Sequence, residues 1–153
     1  MLYDELVQEA VQHGIDIDEK PLTPTIKGLY ADSNIWINRS IPTAAEKACI
    51  LAEELGHYHT SAGDIIDQTD VRNRKQERRA RIWAYEKLVP LSKIVQAHYA
   101  RVSNRHELAE YLGVTEDFLL NAIDRYREKY GPYMIVDKHI IYFDPLGVAK
   151  MFE

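Results

Sequence analysis

The segment from Cys49 to His59 constrains the fold of this chain more than any other. On a helical wheel of about 100° per residue, its small and apolar side chains fall on one broad side that should pack into a core. Glu53 and His57 lie about 40° apart on the opposite side, and Glu54 lies about 60° from His57 on its other flank. The residues of the apolar side are Ala45, Ala48, Cys49, Leu51, Ala52, Leu55 and Gly56.

The polar side of this helix has the residue types of a catalytic metal site. A catalytic zinc takes three protein ligands and keeps a fourth position for water, whose pKa it lowers toward about 7. A carboxylate beside that position can accept the proton of the water. We therefore interpret Glu53 and His57 as metal ligands and Glu54 as the general base. The alternatives are a structural histidine at 57, a solvated carboxylate at 54, and at 53 a group that supports the ligands or remains from a lost site.

His59 is a further candidate ligand, because His57-x-His59 resembles a ligand pair. On a continuous helix, however, these two side chains point about 160° apart, and His59 falls on the core side. It could join the metal only if the helix ended near Tyr58. Otherwise we expect His59 to lie in the core or to support the ligands from behind.

Hydrophobic spacing, turn residues and caps predict a chain of mixed α and β structure. The elements predicted before Pro90 are a helix over 2–13, strands over 26–30 and 34–38, and helices over 43–59 and 70–89. Those after Pro90 are helices over 93–101, 104–112 and 115–129 and two short strands between Tyr133 and Phe143. The fold class is therefore α+β, with a core over 1–90 and a C-terminal helical lobe with terminal strands over 91–153.

Composition excludes several classes of protein. The single cysteine, Cys49, cannot form an intramolecular disulfide, which favours a reducing compartment. The N-terminal residues lack the basic and apolar regions of a secretion signal, and no apolar run approaches the ~20 residues of a membrane span. We therefore expect a cytoplasmic protein without a membrane partner. The net charge of −5 disfavours binding to nucleic acid.

Three parts of the sequence resemble the ImmA/IrrE family of metallo-endopeptidases. The run from Ala52 to His57, Ala-Glu-Glu-Leu-Gly-His, resembles the family's Ala-His-Glu-Leu-Gly-His core, a form of the zincin pattern His-Glu-x-x-His. Residues 35–38 resemble the strand before the family's active-site helix, and residues 76–90 resemble its downstream block with a ligand glutamate. The resemblance covers most of residues 1–125 and implies a zincin-like core that binds one zinc ion.

By this resemblance, Glu77 is the third metal ligand. It shares a helical stripe with Ala80, Ala84 and Leu88, the buried side of the predicted helix. A carboxylate there needs a compensating cation, since burying it unpaired is very costly. An ion pair with a neighbouring arginine, Arg74 or Arg81, is the alternative to a metal.

The chain departs from the family pattern at Glu53, which stands where the family has its first zinc histidine. Glutamate can ligate zinc through oxygen, but two carboxylates and one imidazole leave the site less positive, and such a set also suits Mn²⁺ or another divalent ion. The family resemblance implies cleavage of a helix-turn-helix repressor of a prophage or mobile element. The alternative is a catalytically inactive antirepressor that captures the repressor without cleaving it.

Three further segments bear on which partners the protein could bind. Residues 107–123 have the skeleton of a helix-turn-helix, but Glu116, Asp117 and Asp124 would repel phosphates, so we interpret them as a structural helical pair that could hold the substrate protein. The basic run between Arg72 and Arg81 is interpreted as a solvated face or a docking patch for an acidic segment. Strand 34–38 is predicted to form a sheet edge that accepts the substrate as an added strand.

Overall fold

The computed structural model describes residues 1–60 and 71–151, and within the second range it describes side chains from residue 74 onward. These residues form an α+β fold of six helices and two three-stranded sheets, in agreement with the predicted fold class. They divide into two compact units, Met1–Ala84 and Tyr85–Glu153. None of the described helices combines the length and apolar character that a membrane span requires.

The first unit packs two helices against a small sheet. Its elements are α1 (Leu2–Gln12), β1 (Asp16–Lys20), β2 (Gly28–Ala31), β3 (Asn34–Asn38), α2 (Ala44–Thr60) and most of α3 (Val71–Leu88). Helix α2 contacts α1, β2 and β3, so its apolar side faces both the helix and the sheet. The predicted start of α3 at residue 70 lies outside the described residues.

The sheet of the first unit has the order β1-β3-β2, so the prediction that strand 34–38 forms an edge is wrong. Strand β3 is central, parallel to β1 and antiparallel to β2. The strand that makes β3 central is β1, whose residues were predicted to form a loop. Ile35 and Ile37 of β3 are fully buried, as expected for a strand with neighbours on both edges. Among the described strands, β1 and β2 form the two edges of this sheet.

A tight hairpin joins β2 to β3. Asp32 and Ser33 both have positive φ, at 49° and 63°, as the central residues of a type I′ turn require. The side-chain amide of Asn34 donates a hydrogen bond of 3.1 Å to the carbonyl of Asp32. This turn fixes the register in which Tyr30 faces Ile35.

The second unit packs two of its three helices against a three-stranded antiparallel sheet. Its elements are α4 (Leu91–Tyr99), α5 (Arg105–Leu112), α6 (Glu116–Tyr130), β4 (Tyr133–Val136), β5 (His139–Phe143) and β6 (Leu146–Lys150). The prediction of a two-stranded end is therefore incomplete, because β6 adds a third strand.

Both helices of the helical pair begin at a side-chain cap. The side chain of Asn104 accepts a hydrogen bond from the backbone N–H of Glu107 and so caps α5. The carboxylate of Glu107 in turn accepts one from the N–H of Ser103, the residue before the cap. Thr115 caps α6 by accepting from the N–H of Phe118. Gly113 ends α5 in the left-handed conformation.

Candidate active site

Helix α2 continues through Thr60, and this decides the position of His59. The helix begins where the Thr43 hydroxyl accepts a hydrogen bond from the N–H of Glu46. Because no break occurs at Tyr58, His59 points away from His57 and stacks on Trp83, with ring centroids 4.6 Å apart. The condition under which His59 could join the metal is therefore not met, and because His59 is exposed, the expectation that it lies in the core is wrong.

His57 and Glu77 meet between α2 and α3. The imidazole Nε2 of His57 lies 3.2 Å from Oε1 of Glu77. His57 is only 6% exposed, and its second ring nitrogen, Nδ1, is buried without a hydrogen-bond partner among the described residues. The structure thus brings His57 and Glu77 together. Their role as metal ligands stays a prediction.

Gly56 allows the two helices to approach closely enough for that contact. A Cβ atom at residue 56 would lie 2.3 Å from the carbonyl oxygen of Ala80 and 2.9 Å from its carbonyl carbon. Only a residue without a side chain fits against backbone at that distance. Gly56 precedes His57 and Ala80 follows Glu77 by three residues, so the closest approach of the helices lies beside the pair. Sequence reasoning placed Gly56 on the apolar side but did not identify this contact.

Glu53 and Glu54 flank the pair in partly buried positions. Burial raises the pKa of Glu54 to about 7, with His57 opposing the shift and the charges of Glu77 and Glu53 adding to it. Burial likewise raises the pKa of Glu53, which the charge of Arg81 partly offsets. Both carboxylates therefore lie within electrostatic reach of His57 and Glu77.

The His57–Glu77 contact shifts both partners. Burial alone would lower the pKa of His57, but the hydrogen bond to Glu77 and the charges of the three carboxylates outweigh it and raise that pKa. The hydrogen bond from His57 is the largest cause of the lowered pKa of Glu77, and the charge of Arg81 contributes as well. Arg81, the alternative partner for Glu77, thus acts in the same direction as the imidazole.

The donor chemistry of the site fits a divalent cation. Two ligand atoms on a tetrahedral zinc, with bonds of about 2.0–2.1 Å, lie roughly 3.3 Å apart, close to the separation of the His57 and Glu77 atoms. The charges of Glu77, Glu54 and Glu53 all raise the pKa of His57, and a cation at the site would neutralise part of this negative charge. Within the described parts of the chain, no group of three His, Cys, Asp or Glu residues is already arranged to hold a metal. The direct fit is thus limited to the His57–Glu77 pair.

Strand β2 passes directly beside Glu54. A Cβ atom at Gly28 would lie 3.2 Å from Cγ of Glu54 and 3.3 Å from its Oε1. Because β2 is an edge of the sheet, the open strand edge next to this carboxylate is that of β2 rather than β3. The sequence predicted both strands but carried no signal for which of them forms the sheet edge beside Glu54.

Asn38 fixes the loop that leads into β2. Its side chain is 2% exposed, and its amide donates hydrogen bonds to the carbonyls of Leu22, Thr23 and Ile26 at 3.3, 3.2 and 2.9 Å. Its Oδ1 accepts hydrogen bonds from the backbone and hydroxyl of Ser40. A buried side chain with this many partners holds the approach to the edge strand in one conformation. Sequence reasoning did not single out Asn38 for this role.

The charged side chains of the basic run on α3 and of the acidic positions on α6 are exposed to solvent in the part of the chain that the structure describes. The side chains of Arg74, Lys75, Arg78, Arg79 and Arg81 are exposed, and that of Arg72 lies outside the described residues. In the second unit, Glu116, Asp117 and Asp124 of α6 are exposed, while Ala109 and Leu119 pack the helical pair. Whether either face binds a partner stays a prediction.

The family model described as an IrrE N-terminal-like domain matches residues 10–124, about three quarters of the chain. The match includes Glu53, Glu54, His57 and Glu77, and it ends within α6. No curated protein and no solved structure matches the chain.

Proposed function

Because the chain belongs to the ImmA/IrrE family of metallopeptidases, we propose that it is a zinc-dependent endopeptidase with a zincin-like core and α2 as its active-site helix. The observation that carries this proposal is the 3.2 Å contact between Nε2 of His57 on α2 and Oε1 of Glu77 on α3, the next helix of the chain. Glu53 lies one turn before His57 on α2 and completes the proposed ligand set. The carboxylates of Glu53 and Glu77 together carry two negative charges, which one divalent cation would neutralise.

The proposed chemistry assigns proton transfer to Glu54. A zinc ion, when bound, supplies Lewis-acid activation of a water molecule and of the scissile carbonyl. Glu54 accepts the proton of the attacking water on a carboxylate oxygen and delivers it to the leaving amine. Its partly buried position limits competing bulk water, and its place on the same helix turn as Glu53 keeps it beside the ligands.

We propose that the substrate binds as an extended strand along the free edge of β2. Gly28 of that strand lies against Glu54, so a chain paired with β2 would bring its backbone close to the carboxylate. The family resemblance suggests a helix-turn-helix repressor of a prophage or mobile element as the substrate. The exposed basic face of α3 and the α5–α6 pair are the proposed contacts to such a protein.

Metal analysis tests the proposed ligand set. The protein is purified without added metal, and bound metals are measured by mass spectrometry in the wild type and in Glu53→Ala, His57→Ala and Glu77→Ala. We expect about one zinc per chain in the wild type and its loss in all three variants. Retention of zinc in Glu53→Ala alone would exclude Glu53 as a ligand. A wild type that takes up no divalent metal would refute the metallopeptidase proposal.

Cleavage is tested with a library of proteome-derived peptides, in which new N-termini are detected by mass spectrometry. Glu54→Gln is the matched control, because it preserves the shape of the side chain and the proposed ligands but removes the base. We expect new N-termini with the wild type and none above background with Glu54→Gln. Equal cleavage by both proteins would show that Glu54 is not the base.

Glu53 keeps a second candidate function open, since it replaces the histidine of the family pattern. In that alternative, the protein relieves repression by capturing the repressor without cleaving it. The same Glu54→Gln variant separates the two functions in cells. Full relief of repression by the variant would support capture, whereas loss of relief would support peptide cleavage.

A further inference from the structure

We infer that Gly28 is a positioning residue for Glu54: the missing side chain at this point of β2 sets where the carboxylate lies. A Cβ atom at residue 28 would lie 2.8 Å from Cγ2 of Ile50, 3.2 Å from Cγ of Glu54 and 3.3 Å from its Oε1. Comfortable contacts between such atoms are about 3.5–4.0 Å. The inference rests on the proposed function only in the use it gives to Glu54.

The need for glycine at this position comes from space and not from backbone conformation. Gly14, Gly113 and Gly131 have positive φ, but Gly28 does not. Its backbone is ordinary strand, with Gly28 facing Ile37 of β3 in register. Other residues could therefore adopt this backbone, and the contact with α2 is what excludes a side chain.

The atoms that exclude the side chain belong to two side chains one helical turn apart. Ile50 and Glu54 are i and i+4 neighbours on α2 and both face β2. Ile50 is branched at Cβ and restricted in χ1, so it yields reluctantly. Glu54 is unbranched, and its contacts are made by Cγ and Oε1. A methyl group at residue 28 should therefore displace the carboxylate of Glu54, and relief of the 2.8 Å contact requires a shift at Ile50 as well.

The contrast with the other close glycine supports this distinction. At Gly56 the obstructing atoms are the backbone of Ala80, so an added methyl must move a helix. At Gly28 they are side-chain atoms only. Gly147 of β6, where nothing lies within 4 Å of an added Cβ, provides the matched control for a glycine-to-alanine change in a strand.

The expected consequence is a defect in turnover with little change in binding. Proton transfer needs the carboxylate within about 2.6–3.2 Å of its partner. A misplacement of about 1 Å costs on the order of a hundredfold in rate, so Gly28→Ala should lower kcat by about ten- to a hundredfold. KM and zinc content should change less than twofold, because the substitution adds no group to the proposed ligands.

The test compares Gly28→Ala and Gly147→Ala with the wild type, using the full chain. In metal-free protein, the carboxyl-carbon NMR signal of Glu54 is assigned by its loss in Glu54→Gln. We expect Gly28→Ala to shift this signal by more than its line width and Gly147→Ala to leave it in place. An unshifted signal in Gly28→Ala would overturn the inference, whether or not the protein proves to be a peptidase.

Kinetics on a peptide that the wild type cleaves provide the second readout. A lower kcat at constant KM and constant zinc content supports the inference. A higher KM at constant kcat overturns it, since Gly28 would then serve the substrate strand and not Glu54. A wild type without cleavage refutes the proposed function, and the NMR comparison still decides the position of Glu54.

A second variant covers the case in which Gly28→Ala does not fold. Ile50→Leu conserves volume and removes the branched methyl that makes the 2.8 Å contact, leaving the contact with Glu54. Gly28→Ala is then compared with the wild-type glycine in the Ile50→Leu background. The same shift of the Glu54 signal is expected, and its absence there overturns the inference.

Discussion

Substituting Gly56 by alanine tests the contact that brings His57 and Glu77 together. The new methyl would lie 2.3 Å from the carbonyl oxygen of Ala80, in backbone that cannot rotate away. Relief requires α2 and α3 to separate by about 1 Å at this point, since such atoms normally stay more than about 3.3 Å apart. The separation occurs beside the 3.2 Å contact between His57 and Glu77, which should lengthen with it.

Two effects of opposite sign determine the change in stability. Alanine is favoured over glycine inside a helix by about 1 kcal/mol, which would stabilise α2. Overpacking in a closely packed interior costs about 1–3 kcal/mol, and the obstruction by backbone places Gly56→Ala at or above the upper end of that range. We therefore expect a net decrease of about 2 kcal/mol or more in the free energy of unfolding.

Thermal unfolding and zinc titration measure these effects separately. For a unit of this size, the expected loss lowers Tm by about 8–16 °C or more. Zinc affinity should fall as well, because Glu77 recedes from His57. Gly147→Ala is the control and should change neither quantity. A Gly56→Ala protein with the stability and zinc affinity of the wild type would refute the argument that this glycine sets the helix separation.

Three other substitutions test separate parts of the molecule. Glu53→His restores the family's histidine and should raise the preference for zinc over manganese by about tenfold or more, because imidazole suits zinc and carboxylate suits manganese; an unchanged preference in competition titrations would argue against ligation by Glu53. Asn38→Leu removes the amide that donates to three carbonyls and should lower the free energy of unfolding, measured in urea, by about 1–3 kcal/mol. Wild-type stability would contradict the conclusion that Asn38 fixes the loop before β2. Tyr126→Phe removes the 2.7 Å hydrogen bond to the buried carbonyl of Val89 and should lower the free energy of unfolding by about 1–2 kcal/mol. An unchanged free energy of unfolding would show that water replaces the hydroxyl.

The sequence predicted best what depends on neighbours along the chain. The spacing of Glu53 and His57 is a local property of a helix, and α2 forms as predicted, within a residue at each end. The caps at Asn104 and Thr115 are also local, because each is a side chain bonded to an N–H three residues on. In such cases the residue types alone determine the geometry.

What the sequence failed to predict depends on partners distant in the chain. Strand β1, Asp16–Lys20, has four charged residues and one isoleucine, a composition without strand character. It becomes a strand because it pairs in parallel with β3, and that pairing makes β3 central. Helix periodicity placed Gly56 on the packing side, but a distance of 2.3 Å to Ala80 has no counterpart in residue spacing.

Gly56 and Gly28 each control a different contact of α2. Gly56 sets the distance to α3, and with it the contact of His57 with Glu77, whereas Gly28 sets the distance to β2 and with it the position of Glu54. One contact therefore governs the proposed metal ligands and the other the proposed base. Because the two lie on different sides of one helix, a methyl group at residue 56 should affect metal affinity first, and a methyl group at residue 28 should affect turnover first. If β2 alone positioned both the metal ligands and the base, a substitution there would change metal affinity and turnover together.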